Sequence, residues 1–152
     1  MPSATKHPSL VPPDRPETVA TELPAARDSP YRARCFVTEH LRAWGCTRFE
    51  ETATLLMSEV VTNGVTHAAT PLGVAVACDG ATVVVAVTDG VHGGIDIELA
   101  HRAPWRGATS GRGLHMVDLL ADQWGVTEHD TGKTIWFVVS ADPSSSPTPA
   151  AG

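Results

Sequence analysis

The separation of proline from glycine along the chain limits which part of it can fold. Seven of the twelve prolines lie within residues 1–30 and three more follow residue 141, whereas no glycine precedes Gly45. Segments rich in Pro, Ser, Thr and Ala bury too little apolar surface to offset the entropy of ordering. We therefore predict a disordered segment at 1–16, one folded domain at 17–141 and a disordered tail at 142–152.

Charge and cysteine content exclude several classes of protein. The 152 residues carry a formal net charge of -6 and no run of Lys or Arg, which gives no electrostatic basis for binding nucleic acid or an anionic membrane. No apolar stretch approaches the length of a membrane span, and the first residues lack the apolar region of a signal peptide. Cys35, Cys46 and Cys78 are odd in number without a C-x-x-C pair, so we expect free thiols and a cytoplasmic protein.

Two helices are predicted in the first half of the domain. The Ser29-Pro30 pair, a capping hydroxyl followed by proline, predicts a helix over Pro30–Trp44 that ends at Gly45. Thr47 and Glu50 form a T-x-x-E capping box that opens the second helix. On a period of 3.6 residues this helix presents one apolar stripe, formed by Ala53, Leu56, Met57, Val60, Gly64 and Ala68.

The second half changes to the period of strands. Leu72–Cys78 and Thr82–Thr88 are β-branched runs joined by Asp79-Gly80, a signal for a two-residue hairpin loop. The other predicted elements are an edge strand at Thr18–Leu23, a third helix at about Arg112–Ala121 and a closing hairpin of Trp124–Thr127 with Lys133–Ser140. This order predicts an α+β two-layer sandwich, with helices on one face of a mixed, mostly antiparallel sheet.

The second helix carries the most informative polar residues. Glu59 and Asn63 are four residues apart and point the same way, at the edge of the apolar stripe. Asn63 and Gly64 are both poor helix formers, and an interior glycine costs about 1 kcal/mol relative to alanine. The pair therefore indicates a polar group needed at this point of the helix. The alternative is that Asn63-Gly64 is a helix C-cap in the left-handed region.

Two further positions favour ligand binding. Asp89-Gly90 directly follows a strand, where a carboxylate can accept hydrogen bonds from a ligand, although an ordinary Asp-Gly turn is the alternative. Gly111-Arg112-Gly113-Leu114 leads into the third helix, and backbone N–H groups at such a helix start favour phosphate. The long stretch Val91–Ser110 has no clear period, which is typical of a functional loop.

These motifs stand in one order that resembles the Bergerat-fold (GHKL-type) ATP-binding domain. Within it, the chain is most similar to the bacterial anti-sigma-factor serine/threonine kinases. The likeness covers about residues 20–140 and is carried by the segments SEVVTNGVTHA, GRGLHMVDLLADQWGV and GKTIWF.

The resemblance implies a role for each matching residue. Asn63 would hold Mg²⁺ against the phosphates of ATP, Glu59 would act as general base, and Asp89 of the Asp89-Gly90 pair would hydrogen-bond the adenine amino group. The phosphates would be wrapped by Gly111, Arg112, Gly113 and Leu114, and Thr134 would support the adenine. Val91–Ser110 would form the lid, with Arg102 and Arg106 as candidates to meet phosphate charge.

Two functions follow from the resemblance. The first is an ATP- and Mg²⁺-dependent protein serine kinase that binds a sigma factor and phosphorylates an anti-anti-sigma (STAS-type) partner. Relatives of this kind often pair as homodimers. The second is an ATP-sensing interaction module without transfer activity, in which ATP shifts the balance between two arrangements. A third hypothesis, a structural domain without ligand, requires every motif to be a cap or a turn. Which sigma factor or antagonist is bound, and which signal is sensed, does not follow from the sequence.

Overall fold

The computed structural model describes residues 18–91 and 112–140. Its helices and strands are β1 (Val19–Leu23), α1 (Ser29–Ala43), α2 (Glu50–Asn63), β2 (Leu72–Cys78), β3 (Thr82–Asp89), α3 (Arg112–Leu120), β4 (Gln123–His129) and β5 (Gly132–Ser140), with a 3₁₀ turn at Thr47–Phe49 and a π-helical turn at Gly64–Ala68. The strands form one sheet in the order β1-β2-β3-β5-β4. All four neighbouring pairs of these strands are antiparallel.

This arrangement confirms the predicted α+β class, with an antiparallel rather than a mixed sheet in the described part of the chain. The edge strand, the third helix and the closing hairpin all form where the sequence predicted them, within one or two residues at most ends. The predicted disordered segments and nearly all of the predicted lid lie outside the described residues.

The two faces of the sheet belong to separate apolar clusters. Successive residues of a strand point to opposite faces, so Ile135 and Phe137 face the helices whereas Trp136 faces away from them. The large core joins the buried side chains of α1, α2 and α3 to the helix-facing residues of the strands. On the opposite face, Val84, Trp136 and Val138 form a small cluster of their own with Ala86. The helices therefore lie on one face, as the sequence predicted.

The apolar stripe of α2 confirms the predicted helical period as far as Gly64, whereas Ala68, its last predicted member, is only half-buried. Ala53, Leu56, Met57 and Val60 are buried along α2, and Gly64 continues the buried row into the π-helical turn. Val61 is also buried, so the buried surface of the helix is wider than the predicted stripe. Such a surface fits a helix that packs flat against a sheet.

The first helix begins differently from the prediction. Ser29 does not cap α1; it is the first residue of the helix, and its hydroxyl donates a hydrogen bond to the Pro24 carbonyl oxygen at 2.5 Å. The hydroxyl therefore fixes the chain that enters the helix. The predicted end is confirmed, because Gly45 has φ of +73°, a left-handed conformation that glycine adopts without steric cost.

The predicted capping box at the start of α2 is wrong. Thr47 opens the 3₁₀ turn, and the residue that precedes α2 is Phe49, without a side-chain cap. Glu50 instead forms a two-point ion pair with Arg42 of α1, with Arg42 Nη2 and Glu50 Oε2 3.0 Å apart. A contact with another helix has replaced the local contact that the T-x-x-E pattern favours.

The β2–β3 hairpin forms with a two-residue turn, as predicted, but the turn lies one residue later. Cys78 pairs with Val83, and the Asp79 N–H donates to the Thr82 carbonyl oxygen at 3.2 Å, so Gly80 and Ala81 form the turn. Asp79 Oδ1 accepts hydrogen bonds from the backbone N–H groups of Ala81 and Thr82, both at 2.8 Å. The aspartate side chain thus adds two hydrogen bonds to the backbone bond that closes the turn.

The prediction of three free thiols is wrong for two of them. Cys46 and Cys78 form a disulfide, whereas Cys35 is free and exposed. Cys46 follows the end of α1 and Cys78 ends β2, so the two layers bring them together across a separation of 32 residues. The lack of a C-x-x-C motif therefore did not exclude a disulfide between cysteines that are distant in sequence.

Across the described ranges 18–91 and 112–140, none of the helices is long and apolar enough to span a membrane.

Candidate functional site

The last turns of α2 place Glu59 and Asn63 side by side on one edge of the helix. Both residues are half-buried. The Asn63 Nδ2 atom is itself buried and has no hydrogen-bond partner among the described residues. Because buried polar groups are almost always hydrogen-bonded, an unsatisfied amide requires a specific explanation, and a ligand that binds here is one.

Gly64 serves packing rather than helix capping. Its φ of -62° and ψ of -43° are those of a right-handed helix, which excludes the left-handed C-cap considered above. A Cβ atom at Gly64 would lie 2.8 Å from Leu72 Cδ2, at the start of β2. Glycine therefore allows the end of α2 to approach the sheet closely, and Asn63 is carried with it.

The chain after α2 brings the end of this helix to the end of β3. The π-helical turn closes with the Ala69 N–H donating to the Gly64 carbonyl oxygen at 3.2 Å. Just beyond it, Thr70 Oγ1 accepts a hydrogen bond from the Gly90 N–H at 2.9 Å. The predicted Asp89-Gly90 motif therefore adjoins the segment that leaves α2.

Asp89 lies in a buried ion pair that the sequence motifs did not predict. The Lys133 Nζ atom is 3.0 Å from Asp89 Oδ2 and 3.2 Å from Asp89 Oδ1, and both side chains are almost fully buried. Lys133 Nζ also donates to the Val91 carbonyl oxygen at 3.1 Å, while the Val91 N–H donates to Asp89 Oδ1 at 2.8 Å. The carboxylate is thus fixed in place, with a lysine beside it.

The strand register explains why Lys133 meets Asp89. The two residues are direct partners in the β3–β5 pair, so their side chains share the face of the sheet that carries the helices. Gly132 permits this approach, because a Cβ atom there would overlap the Asp89 carbonyl oxygen. Strand alternation applied to Gly132-Lys133-Thr134 could have indicated a lysine on this face.

Thr134, the residue singled out by the resemblance, lies on the opposite face. Its hydroxyl is 2.7 Å from Thr88 Oγ1 and 2.7 Å from His129 Nε2. These three side chains share the outer face with Trp136, because each alternates with a helix-facing neighbour. The structure therefore does not bring Thr134 into contact with Asp89, and its support of a base stays a prediction.

The glycine-rich motif before α3 is only partly described. Gly111 lies outside the described residues, and the side-chain environment of Arg112 and Gly113 is not described. Arg112 is the first described residue of α3, as predicted. Leu114 is fully buried in the main core and anchors α3 on the sheet. Arg102 and Arg106 also lie outside the described residues.

The described parts of the chain contain no group of three or more His, Cys, Asp or Glu side chains that could hold a metal ion. Mg²⁺ is often bound through one or two protein oxygens together with substrate phosphates, and it prefers oxygen ligands. The amide oxygen of Asn63 is a ligand of this kind. This single amide oxygen fits Mg²⁺ that is carried by a nucleotide, whereas the unpartnered Nδ2 group can only donate a hydrogen bond.

Within residues 18–91 and 112–140, three helices lie on one face of a five-stranded antiparallel sheet, which is an α+β fold consistent with the ATPase type. An orphaned amide lies at the end of α2 and a buried carboxylate at the end of β3. The model of the histidine kinase-like ATPase domain family matches residues 23–139, and the chain belongs to this family. Domains of this family bind ATP with Mg²⁺. A search of curated proteins finds no match.

Proposed function

We propose that this protein is an ATP- and Mg²⁺-dependent protein serine kinase that binds a sigma factor and phosphorylates an anti-anti-sigma (STAS-type) partner. Family membership supports ATP binding. The observation that carries the kinase assignment is Glu59, which stands one helical turn before Asn63 on the same edge of α2. A site that only binds nucleotide does not need a carboxylate there.

The roles of the two α2 residues follow from their positions. Bound Mg²⁺ supplies charge neutralisation for the phosphates, and the Asn63 amide oxygen would hold it. Glu59 would accept the proton of the substrate serine hydroxyl as the seryl oxygen forms its bond to the γ-phosphorus and ADP leaves. Phosphoryl transfer depends mainly on positioning and charge stabilisation, so one amide, backbone N–H donors and one base are sufficient.

Asp89 would receive the adenine, because its carboxylate is fixed at the strand end that adjoins the segment leaving α2. The Gly111–Leu114 motif would supply backbone N–H donors to the phosphates. Thr134 would act on the base only indirectly, because it lies on the other face of the sheet. The cytoplasm, where ATP and sigma factors are found, is the proposed location, and a homodimer is the proposed assembly.

Replacement of the general base tests the kinase assignment directly. We expect Glu59→Ala to reduce transfer of ³²P from ATP to an anti-anti-sigma partner by 10²- to 10⁴-fold, because a positioned base contributes about that much. The affinity for ATP should stay within a factor of about two. Glu51→Ala is the matched control, since Glu51 is an exposed acidic residue in the first turn of the same helix.

The same experiment separates the two candidate functions. Equal transfer by wild type and Glu59→Ala would remove the role of Glu59. If the wild type transfers no phosphate but binds its partner only when ATP is present, the protein is an ATP-sensing interaction module.

A further inference from the structure

The Asp89–Lys133 pair has hydrogen-bonding capacity that the described residues leave unused. A carboxylate offers about four lone-pair positions and an ammonium three N–H donors. Asp89 Oδ2 accepts only from Lys133, and Lys133 Nζ donates only to Asp89 and to the Val91 carbonyl oxygen, as far as residues 18–91 and 112–140 are concerned. The two oxygens of one carboxylate can share a single N–H group of Lys133, so one acceptor position of Asp89 and one N–H group of Lys133 remain on a pair that is nearly buried.

An unused acceptor beside an unused donor matches the Watson–Crick edge of adenine. The 6-amino group of this edge donates, and the adjacent ring nitrogen N1 accepts. The pair carries no net charge, which suits a neutral base, and its burial would shield both hydrogen bonds from water.

We infer that Lys133 is a specificity-determining residue that donates a hydrogen bond to N1 of adenine while Asp89 accepts from the amino group. This inference rests on the proposed ATP site and adds a second base contact to it. Guanine presents an acceptor where adenine has the amino group and an N–H donor at N1. In the same orientation, guanine would therefore place its N1–H against the Lys133 ammonium and its oxygen against the Asp89 carboxylate.

The N1 contact is tested by comparing the binding of ATP and of one ATP analogue to the wild type and to one Lys133 variant. The probes are ATP and 1-deaza-ATP, in which a C–H group replaces N1, each titrated with Mg²⁺ against the full chain by calorimetry. For the wild type we expect ATP to bind about tenfold more tightly than the analogue, because the lost hydrogen bond involves a charged donor. For Lys133→Met the ratio should fall to about one.

Control variants keep the test decisive. Lys133→Gln keeps a polar side chain but is shorter and uncharged, so it should show the same loss of discrimination if Lys133→Met does not fold. Arg48→Met removes one positive charge near the β2–β3 hairpin, where Arg48 contacts the Gly80 carbonyl oxygen, and should keep the wild-type ratio. Thermal melts establish that each variant is folded.

The possible outcomes separate this inference from the proposed function. If wild type and both Lys133 variants show the same ratio, Lys133 does not contact N1, although the ATP site stands. If the wild type binds neither nucleotide, the proposed function itself is wrong. A wild type that prefers GTP to ATP would also overturn the inference, because the base would then present the opposite pattern of donors and acceptors.

Discussion

The two faces of the β3–β5 ribbon differ although they are built from adjacent residues. On the helix face, Asp89 and Lys133 form a buried ion pair next to the segment that leaves α2. On the outer face, one residue earlier in β3 and one later in β5, Thr88 and Thr134 share a neutral hydrogen bond at 2.7 Å. Strand alternation therefore places the charged pair on one face of the sheet and the uncharged pair on the other. Consecutive residues of a motif, such as Lys133 and Thr134, consequently lie on opposite faces.

The largest expected effect is on the helix face. Lys133→Met should lower the free energy of unfolding by about 3–5 kcal/mol, because it leaves the buried Asp89 carboxylate without its counter-charge. Urea unfolding followed by circular dichroism measures the change. The double variant Asp89→Leu, Lys133→Met should recover most of the loss, since apolar replacement of both partners is often neutral. If the single variant were as stable as the wild type, the pair would not be a structural element of this face.

The next effect concerns the orphaned amide on the same side of the sheet. Asn63→Ala should abolish the stabilisation by ATP and Mg²⁺, which is about 2.7 kcal/mol at ~100 times the dissociation constant. Without ligand the variant should be no less stable than the wild type, because it removes a buried unsatisfied group and introduces a better helix former. Thermal-shift titrations of both proteins measure both effects. A variant that responds to ATP like the wild type would exclude Asn63 from the site.

The smallest effect is expected on the outer face. Thr134→Val removes the hydroxyl that bonds to Thr88 and His129 and should cost about 1 kcal/mol, the usual net value of a neutral hydrogen bond. Because this hydroxyl points away from the helices, the affinity for ATP should change by less than about twofold. Calorimetric titration checks this result. A tenfold weaker affinity would show that Thr134 supports the adenine after all, as the resemblance implies.

The sequence predicted what depends on local periodicity. The apolar row of α2 and the alternating runs of β2 and β3 determine the elements, and their order determines the two layers. Spacing and position indicated the polar residues at the end of α2 and at Asp89, and the family resemblance added their roles. These features are encoded within short windows of the chain.

The features that the sequence did not predict arise from contacts between distant segments. Lys133 meets Asp89 across 44 residues through the β3–β5 register. Glu50 leaves its predicted capping position for Arg42, and the Cys46–Cys78 disulfide joins the end of α1 to the end of β2. In each case a contact between two different elements of the fold outweighed or supplemented the local preference.

The close approach at Gly64 also has a consequence for how nucleotide affinity can be altered. Because Gly64 has no Cβ atom, α2 can pack closely against β2 at this residue. The Leu72 side chain would have to move to make room for a Cβ atom at position 64. A bulkier residue would shift the neighbouring asparagine relative to the aspartate of β3. Random mutagenesis for altered ATP affinity should therefore select position 64 as readily as the residues that contact the ligand.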